Sequence, residues 1–338
     1  IQYKGLIMEI LDGKYIFRSF HPGDEKGILE LWKTAFKSNM DPDLFKWKYL
    51  DNPYSKTMML CVTDNSEIVT FYGGIPFKFQ YNEDIVYVVN LMDIMSHPNH
   101  RENRIFEKTA RRFIEYFCTP DNLLLMYGFP GEFHYSIGER ILTYKKISNV
   151  LYLRAFPNEL FNKKNSAQKN IVELEIIENY DGPAKEFDLV WENCKSYYPF
   201  SIVRDASFVK WRFFDHPQKQ YTVLRFVNSD DDSFAAYAVL KVNERKATIV
   251  DLLLPDSKIL FEQIINCISE YVIGLDLNQI DIWLPENHFL TGHALSSGFK
   301  NEGEPIGIIP TVALFEHSPS LEWVKSNLYY NMGDGDLL

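Results

Sequence analysis

The chain has 338 residues, with 35 Lys and Arg against 46 Asp and Glu, and therefore a net charge of −11. With 46% hydrophobic, 15% aromatic and 24% charged residues, its composition is typical of globular proteins with sizeable cores and excludes a disordered or collagen-like chain. An acidic chain gains little from counterion release on nucleic acid, and no apolar run approaches the roughly 18 residues of a membrane span. We therefore expect neither nucleic acid nor a membrane as a partner.

Cysteine usage and length set the next bounds. Cys61, Cys118, Cys194 and Cys267 form no C-x-x-C pair, which indicates free thiols in a reducing compartment. The beginning of the sequence has no basic segment followed by an apolar one, as a secretory signal would, and Met8 is a candidate native start. We therefore expect a cytoplasmic protein. The length is typical of two domains.

Hydrophobic periodicity predicts the elements of the first half in chain order. The predictions are a strand at 15–20, helices at 24–37 and 42–49, strands at 57–63, 67–79 and 85–96, a helix at 104–118, a strand at 122–128, a helix at 132–142 and a strand at 144–155. The polar segment 157–169 then interrupts the pattern, which is typical of a linker.

The second half predicts a similar order of elements. The predictions are strands at 221–227, 233–242 and 246–254, a helix at 257–273, a strand at 278–284, a helix at 287–297 and a strand at 308–316. A helix at 321–330 and a flexible stretch at 333–336 are predicted to follow.

An internal repeat relates the two halves. Residues 46–53 read KWKYLDNP and residues 210–217 read KWRFFDHP, with four of the eight positions identical. Further along, each half has an apolar strand that carries one acid, Asp93 or Asp251. A repeat of this length predicts two copies of one α/β unit. We place the two units at 9–156 and 170–318, the linker at 157–169, and a C-terminal helix and tail at 319–338.

One stretch carries a family resemblance. Residues 93–106 read DIMSHPNHRENRIF, an acid-bearing strand that passes through a proline-containing turn into a helix. This stretch resembles the fourth strand and the acetyl-CoA helix of the GNAT superfamily of N-acetyltransferases, where the motif is Arg/Gln-x-x-Gly-x-Gly/Ala. Arg101 matches the first motif position, Arg104 replaces the first glycine, and Phe106 stands at the last position.

The order of elements is similar to a tandem form of that family. The resemblance implies the α/β class, with two tandem GNAT-like units, each a mixed, mainly antiparallel sheet flanked by helices. It also implies that acetyl-CoA, or another acyl-CoA, is the co-substrate. The second unit has neither glycine nor arginine directly after Asp251, so we predict that it is a cofactor-free copy.

The cofactor site implied by the resemblance lies where the strand enters the helix. A helix N-terminus presents free N–H groups and the positive end of its dipole, which suits a pyrophosphate. The residues implied for this site are Ile94, Met95, Ser96, Arg101, Glu102, Asn103, Arg104, Ile105 and Phe106.

Acyl transfer to an amine needs a polarised carbonyl and groups that move protons. The candidates are Tyr135 as acid, Glu139 as base or acid, and Asp93 as base. The alternative for Tyr135 and Glu139 is a groove-lining or surface role. Asp93 has a structural alternative, because Asp251 occupies the matching place in the unit predicted to lack a cofactor. The pair His97-x-x-His100 has a metal-like spacing without a third ligand, so no metal is predicted.

The resemblance therefore implies an N-acyltransferase that moves an acetyl or other acyl group from acyl-CoA to an amine of a small molecule or sugar. The net charge of −11 mildly favours a cationic acceptor. Three alternatives stay open at this point. They are a non-catalytic acyl-CoA-binding module, a degenerate scaffold without cofactor, and an aminoacyl-tRNA-dependent peptidyltransferase of related fold, which would need a basic groove.

Overall fold

The computed structural model divides the chain into two compact units. The first comprises residues 1–78, 86–147 and 310–321, and the second comprises 79–85, 148–309 and 322–338. The structure describes residues 9–11, 14–101, 104–161, 171–178, 180, 185–243 and 245–335. The candidate start at Met8 and most of the predicted linker lie outside the described residues. Among those that are described, no helix combines the length and hydrophobicity needed to cross a bilayer.

Sixteen strands are described. They are β1 (Glu9–Leu11), β2 (Tyr15–Ser19), β3 (Thr57–Thr63), β4 (Ile68–Tyr81), β5 (Asp84–Ser96), β6 (Met126–Gly128), β7 (Lys145–Lys146), β8 (Val150–Ala155), β9 (Val172–Ile177), β10 (Phe200–Ile202), β11 (Thr222–Asn228), β12 (Phe234–Val242), β13 (Ala247–Leu253), β14 (Ile280–Pro285), β15 (Lys300–Asn301) and β16 (Thr311–Ala313).

Ten α-helices are described. They are α1 (Glu25–Phe36), α2 (Pro42–Phe45), α3 (Ile105–Phe117), α4 (Glu132–Ile141), α5 (Pro157–Phe161), α6 (Lys185–Cys194), α7 (Ala206–Val209), α8 (Lys258–Gly274), α9 (Phe289–Ser297) and α10 (Leu321–Asn327). Two π-helical turns, Lys46–Leu50 and Lys210–Phe214, directly follow α2 and α7.

The sheet of the first unit has the strand order β1-β2-β3-β4-β5-β6-β16-β7. Its described pairings are antiparallel except for the parallel pair β5–β6. Strand β3 shows how this sheet is covered on both faces, because successive side chains of a strand point to opposite sides. Met58 and Leu60 pack with the α1 side chains Ile28 and Leu31. Met59 packs on the other face, in the cluster that contains Phe113 of α3.

The sheet of the second unit has the strand order β15-β8-β14-β13-β12-β11-β9. It is also antiparallel except for one parallel pair, β13–β14. The predicted fold class is confirmed: each unit has a mixed, mainly antiparallel sheet flanked by helices.

The repeat is visible in the elements. Each octet forms a π-helical turn after a short helix, and each is closed by the same i→i+5 bond, from Asp51 N–H to Lys46 O and from Asp215 N–H to Lys210 O. The helix before each octet begins at an aspartate N-cap, Asp41 in one unit and Asp205 in the other. The two octets therefore lie in equivalent elements, although the predicted continuous helix at 42–49 ends its α-helical part at Phe45.

Two predicted strands belong to the sheet of the other unit, and not to the unit in which the sequence placed them. The strand predicted at 144–155 is split, and its second part, β8, pairs with β14 in the second unit. The strand predicted at 308–316 is shorter, and as β16 it pairs with β6 in the first unit. Periodicity identifies a strand but not its partner, so the ranges 9–156 and 170–318 do not match the structural units at these strands.

Two local predictions were wrong. The predicted linker begins with a helix, α5, that packs on α8. The stretch predicted to be flexible at 333–336 instead has Gly333 and Asp334 buried in a short 3₁₀ turn. Its carboxylate and carbonyl oxygens accept hydrogen bonds from Arg204 and Arg212, which a reading of Gly and Asp as turn residues did not include.

Candidate functional site

The first unit opens between its two parallel strands. The described pairs are Val89 with Met126 and Asn90 with Tyr127, and β6 ends at Gly128. Strand β5 continues to Ser96, so residues 91–96 extend beyond the parallel pairing. Asp93 has a φ of 54°, a left-handed backbone that interrupts the extended strand. We call this place, where residues 91–96 continue without a described β6 partner before the turn into α3, the opening of the sheet.

Asp93 belongs to a largely buried ion pair in this opening. Its Oδ2 accepts hydrogen bonds from Lys48 Nζ at 2.7 Å and from Tyr49 Oη at 2.8 Å. The Lys48 side chain is 1% exposed, and a buried ammonium requires such a counter-charge. This geometry favours the structural alternative for Asp93, and its role as a base stays a prediction. The sequence offers a signal for Lys48, since the third octet position is a cation in both copies.

The three strand residues implied for the cofactor site differ in their surroundings. Met95 is buried in the core cluster on the α1 side, and Ile94 packs partly on the cluster of the opposite face. The Ser96 hydroxyl is buried and has no hydrogen-bond partner among the described residues. A buried polar atom without a partner is costly, so Ser96 stays a candidate for a contact with a bound ligand.

The turn into α3 contains the arginines of the predicted motif. Arg101 is exposed, and Arg104 is the N-cap of α3 with a φ of 56°. Arg104 therefore adopts the left-handed backbone that glycine takes most easily, at the position where the family has glycine. Its guanidinium donates to Glu107 at 2.7 Å. Glu102 and Asn103 lie outside the described residues.

The first residues of α3 contribute through their backbone. Ile105 is buried in a cluster with Tyr15 and Phe17, and Phe106 is partly buried on the cluster around Phe113. These side chains point into the core. What α3 can offer a ligand is therefore its N-terminal N–H groups and dipole.

Tyr135 and Glu139 line an open pocket of about 410 Å³. Tyr135 Oη donates to Glu139 Oε1 at 2.7 Å, across one turn of α4. Burial, together with this bond, raises the pKa of Tyr135 above its usual value, so Tyr135 is protonated at neutral pH and can act as an acid. The other lining residues are Thr143, Tyr144, Lys145, Lys146 and Leu321.

One lining residue of this pocket, Tyr144, belongs to a tyrosine pair. Tyr144 Oη lies 2.9 Å from Tyr72 Oη, and burial raises the pKa of Tyr144 to about 12. The Tyr144 ring packs against Gly138, where an added Cβ would lie 2.0 Å from the ring. Gly138 therefore allows the aromatic ring to approach α4, a contact that sequence spacing did not suggest.

The corresponding opening of the second unit is filled by its own side chains. The parallel pairing of β13 and β14 ends at Ile249 with Ile282. Beyond it, Tyr329 Oη donates to Leu252 O at 2.7 Å, and Tyr198 Oη donates to Leu254 O at 2.8 Å.

The ring of His288 contacts both tyrosine rings, with centroid distances of 5.0 and 4.5 Å. Burial lowers the pKa of His288 to about 3, so this imidazole is neutral within the aromatic cluster. The carbonyl oxygens of β13 and the residue after it that lie beyond the last β13–β14 pair are therefore hydrogen-bonded and covered by side chains of the same unit.

The pair His97 and His100 has a neighbour that the sequence did not reveal. Glu67, in the turn between β3 and β4, places its carboxylate oxygens 3.8 Å from His97 Nε2 and 3.9 Å from His100 Nε2. The three residues lie in two separate turns, so no spacing rule could join them.

Comparisons with known proteins bear on the family and on the fold. Residues 17–141 match the family model described as an acetyltransferase (GNAT) domain. A sequence comparison with curated proteins finds no match. A probable N-acyltransferase from Enterococcus faecalis has a similar structure, with a TM-score of 0.68 and 10% identity over 90% of this chain and 73% of that chain.

Two further solved structures are similar. One is a GCN5-related N-acetyltransferase from Kribbella flavida, with a TM-score of 0.64 and 10% identity over 88% of this chain and 70% of that one. The other is the N-myristoyltransferase of Saccharomyces cerevisiae with bound myristoyl-CoA, with a TM-score of 0.56 and 10% identity over 90% and 83% of the two chains.

Residues 17–141 therefore match a GNAT acetyltransferase domain, and the similar structures show that the chain has the fold of these N-acyltransferases. The class of activity that this family supports is acyl transfer from acyl-CoA.

Proposed function

We propose that the first unit binds one acyl-CoA per chain and transfers its acetyl or other acyl group to an amine of a small molecule or sugar. The observation that carries the proposal is the opening beyond Asn90 and Tyr127, directly before the N-terminus of α3. In the second unit the corresponding strand atoms are bonded by Tyr198 and Tyr329. We infer that the second unit binds no cofactor.

The residues around the opening suit an acyl-CoA. The backbone of residues 94–96, the unpartnered hydroxyl of Ser96 and the first turn of α3 supply polar groups from the end of β5 to the start of α3. Arg101 supplies a positive charge next to that turn, where a pyrophosphate is favoured. Arg104 already has the left-handed backbone conformation that glycine takes most easily. Acyl-CoA supplies the activated acyl group when bound.

The proton chemistry is assigned to the pocket on α4. Tyr135 keeps its proton at neutral pH and is the proposed acid. Glu139 accepts the Tyr135 hydrogen bond and is the proposed group that orients Tyr135 or takes a proton from the amine. Asp93 is a weaker candidate base, because its carboxylate already neutralises Lys48.

A second candidate is an acyl-CoA-binding module without turnover. It is favoured by the engagement of Asp93 with Lys48 and Tyr49, because a carboxylate held by a buried cation is a poor proton acceptor. The two candidates share the binding site and differ only in the release of free CoA.

Titration calorimetry with acetyl-CoA and longer acyl-CoAs tests the binding. We expect one site per chain, and Arg101→Glu should weaken binding about tenfold to a hundredfold, the range of a charge-assisted hydrogen bond. Lys26→Glu, on the exposed face of α1, is the matched charge reversal and should leave binding unchanged. A stoichiometry near two would contradict the cofactor-free second unit, and no binding at millimolar ligand would favour a degenerate scaffold.

Release of free CoA thiol with a panel of small amines and amino sugars tests turnover. Tyr135→Phe should lower kcat about a hundredfold, the scale of general acid catalysis, and leave the Kd for acyl-CoA unchanged. Binding without CoA release for every amine would instead support the binding module.

A further inference from the structure

Three metal-ligating side chains meet at one end of the first unit. Glu67 lies in the turn between β3 and β4, and His97 and His100 bracket the 3₁₀ turn Pro98–His100 that leads towards α3. One ligand atom from each residue can be chosen so that all three lie within 4.8 Å of one another. Among the described residues, this is the one such group of three.

The spacing of these atoms suits an ion better than direct bonding. The Nε2 atoms lie 3.8 and 3.9 Å from the Glu67 oxygens, which is too long for a hydrogen bond. A tetrahedral Zn²⁺ with bonds of about 2.0–2.2 Å holds its ligand atoms about 3.3–3.5 Å apart. The three ligand atoms, which lie within 4.8 Å of one another, must therefore move closer together to bind an ion, and Glu67, 53% exposed on a turn, has room to move.

Neighbouring groups favour metal binding at His100 and must rearrange at His97. Tyr15 Oη lies 3.0 Å from Nδ1 of His100, so Nδ1 can donate to Tyr15 and leave Nε2 unprotonated for a metal. The His97 Nδ1 accepts a bond of 3.2 Å from the Asn99 N–H. This bond is given up when His97 binds a metal through Nε2, because a neutral imidazole then carries its proton on Nδ1.

We propose that Glu67, His97 and His100 form a Zn²⁺ site with three protein ligands and a fourth position open to solvent. Two imidazoles and one carboxylate are ligands that zinc takes, whereas Mg²⁺ and Ca²⁺ prefer oxygen alone. The carboxylate supplies the negative charge, and Lys14, over the Tyr15 ring, is a nearby cation. The ion ties the turn between β3 and β4 to the turn that precedes α3. This site does not depend on the proposed acyl transfer.

Titration of Zn²⁺ into the untagged, chelator-treated full chain tests the site. We expect one ion per chain, and we expect Co²⁺ to give the intense visible absorption of a tetrahedral complex. His97→Ala and Glu67→Gln should each abolish the titration, and Tyr15→Phe should weaken it about tenfold, as loss of a ligand's supporting hydrogen bond does. His134→Ala, which removes an exposed histidine of α4, is the matched control and should change nothing.

Loss of the metal site can be distinguished from misfolding of a variant. Glu67→Gln is a conservative change on an exposed turn, so its circular dichroism and melting temperature should match the wild type and exclude misfolding as the cause of lost binding. Failure of the wild type to bind Zn²⁺ at micromolar concentrations overturns the proposal. Unchanged binding in both His97→Ala and Glu67→Gln would also overturn it, because the ion would then be bound elsewhere.

Discussion

Gly138 allows the ring of Tyr144, which lines the candidate pocket, to pack against α4. An added Cβ would lie 2.0 Å from Cδ2 of Tyr144, so Gly138→Ala must displace the ring and break its contact with Tyr72. Alanine stabilises a helix by about 1 kcal/mol relative to glycine, but overpacking costs about 1–3 kcal/mol. We expect a net destabilisation of about 1 kcal/mol in urea unfolding.

The matched control for this substitution is Gly292→Ala. Gly292 lies in α9, and an added Cβ there meets nothing within 4 Å. The same chemical change should therefore be neutral or stabilising. If Gly138→Ala is as stable as Gly292→Ala, the packing of Tyr144 against α4 is not as described.

Arg104 offers a test of backbone strain at the turn into α3. A left-handed conformation costs a non-glycine residue about 1–2 kcal/mol, and Arg104 adopts it with a φ of 56°. Arg104→Gly and Arg104→Ala both lose the bond to Glu107, so their difference isolates the backbone. We expect the glycine variant to be more stable by about 1 kcal/mol in urea unfolding. Equal stability would mean that residue 104 is not held in this conformation.

At the scale of elements, the sequence predicted those features that depend on interactions between residues close together in the chain. The octets predicted equivalent elements, and Trp47 and Trp211 are buried in both, because a repeated sequence fixes the same caps and packing. Strand pairing was not predictable, because the partners of β8 and β16 are the strands β14 and β6, which are distant in sequence. The candidate sites show the same difference between local and long-range contacts. Tyr135 and Glu139 are one helical turn apart, so their contact could be predicted. Glu67 lies near His97 and His100 only because the fold brings two separate turns together.

The buried C-terminal turn of the second unit contains an unusual charge arrangement. Arg204 donates to Asp251 at 2.8 Å and to both oxygens of Asp334 at 2.9 and 3.0 Å. Two buried carboxylates thus share one guanidinium. Burial raises the pKa of Asp334 to about 6, and the charge of Asp251 adds to the rise against the lowering effect of Arg204.

This pKa predicts a pH dependence of stability. The folded state binds more protons than the unfolded state between pH 3.8 and about 6, so the stability contribution of Asp334 is present at low pH and is lost as pH rises through about 6. Asp334→Asn removes that loss. Relative to wild type, the variant should gain about 1 kcal/mol of unfolding free energy between pH 5 and pH 7. Asp64→Asn, an exposed control, should show no such gain, and a parallel pH profile for Asp334→Asn would contradict the assignment.

At the scale of the whole molecule, the two units share an architecture. They differ in the contacts of the residues that follow the last parallel strand pair. In the first unit, residues 91–96 continue past the last described pair. In the second, Leu252 and Leu254 already have tyrosine partners. We therefore expect a ligand to add hydrogen bonds in the first unit, whereas in the second it would have to displace bonds that exist.

Amide hydrogen exchange with and without acetyl-CoA tests this difference between the two units. We expect slower exchange at residues 91–101, 105–110 and 126–135, because bound ligand orders those backbone groups. Residues 249–262 and 282–291 should exchange at the same rate in both conditions, and they serve as an internal control. Arg101→Glu should reduce the protection in the first unit at equal ligand concentration. Protection in the second unit that survives Arg101→Glu would show a second binding site and contradict the single-site proposal.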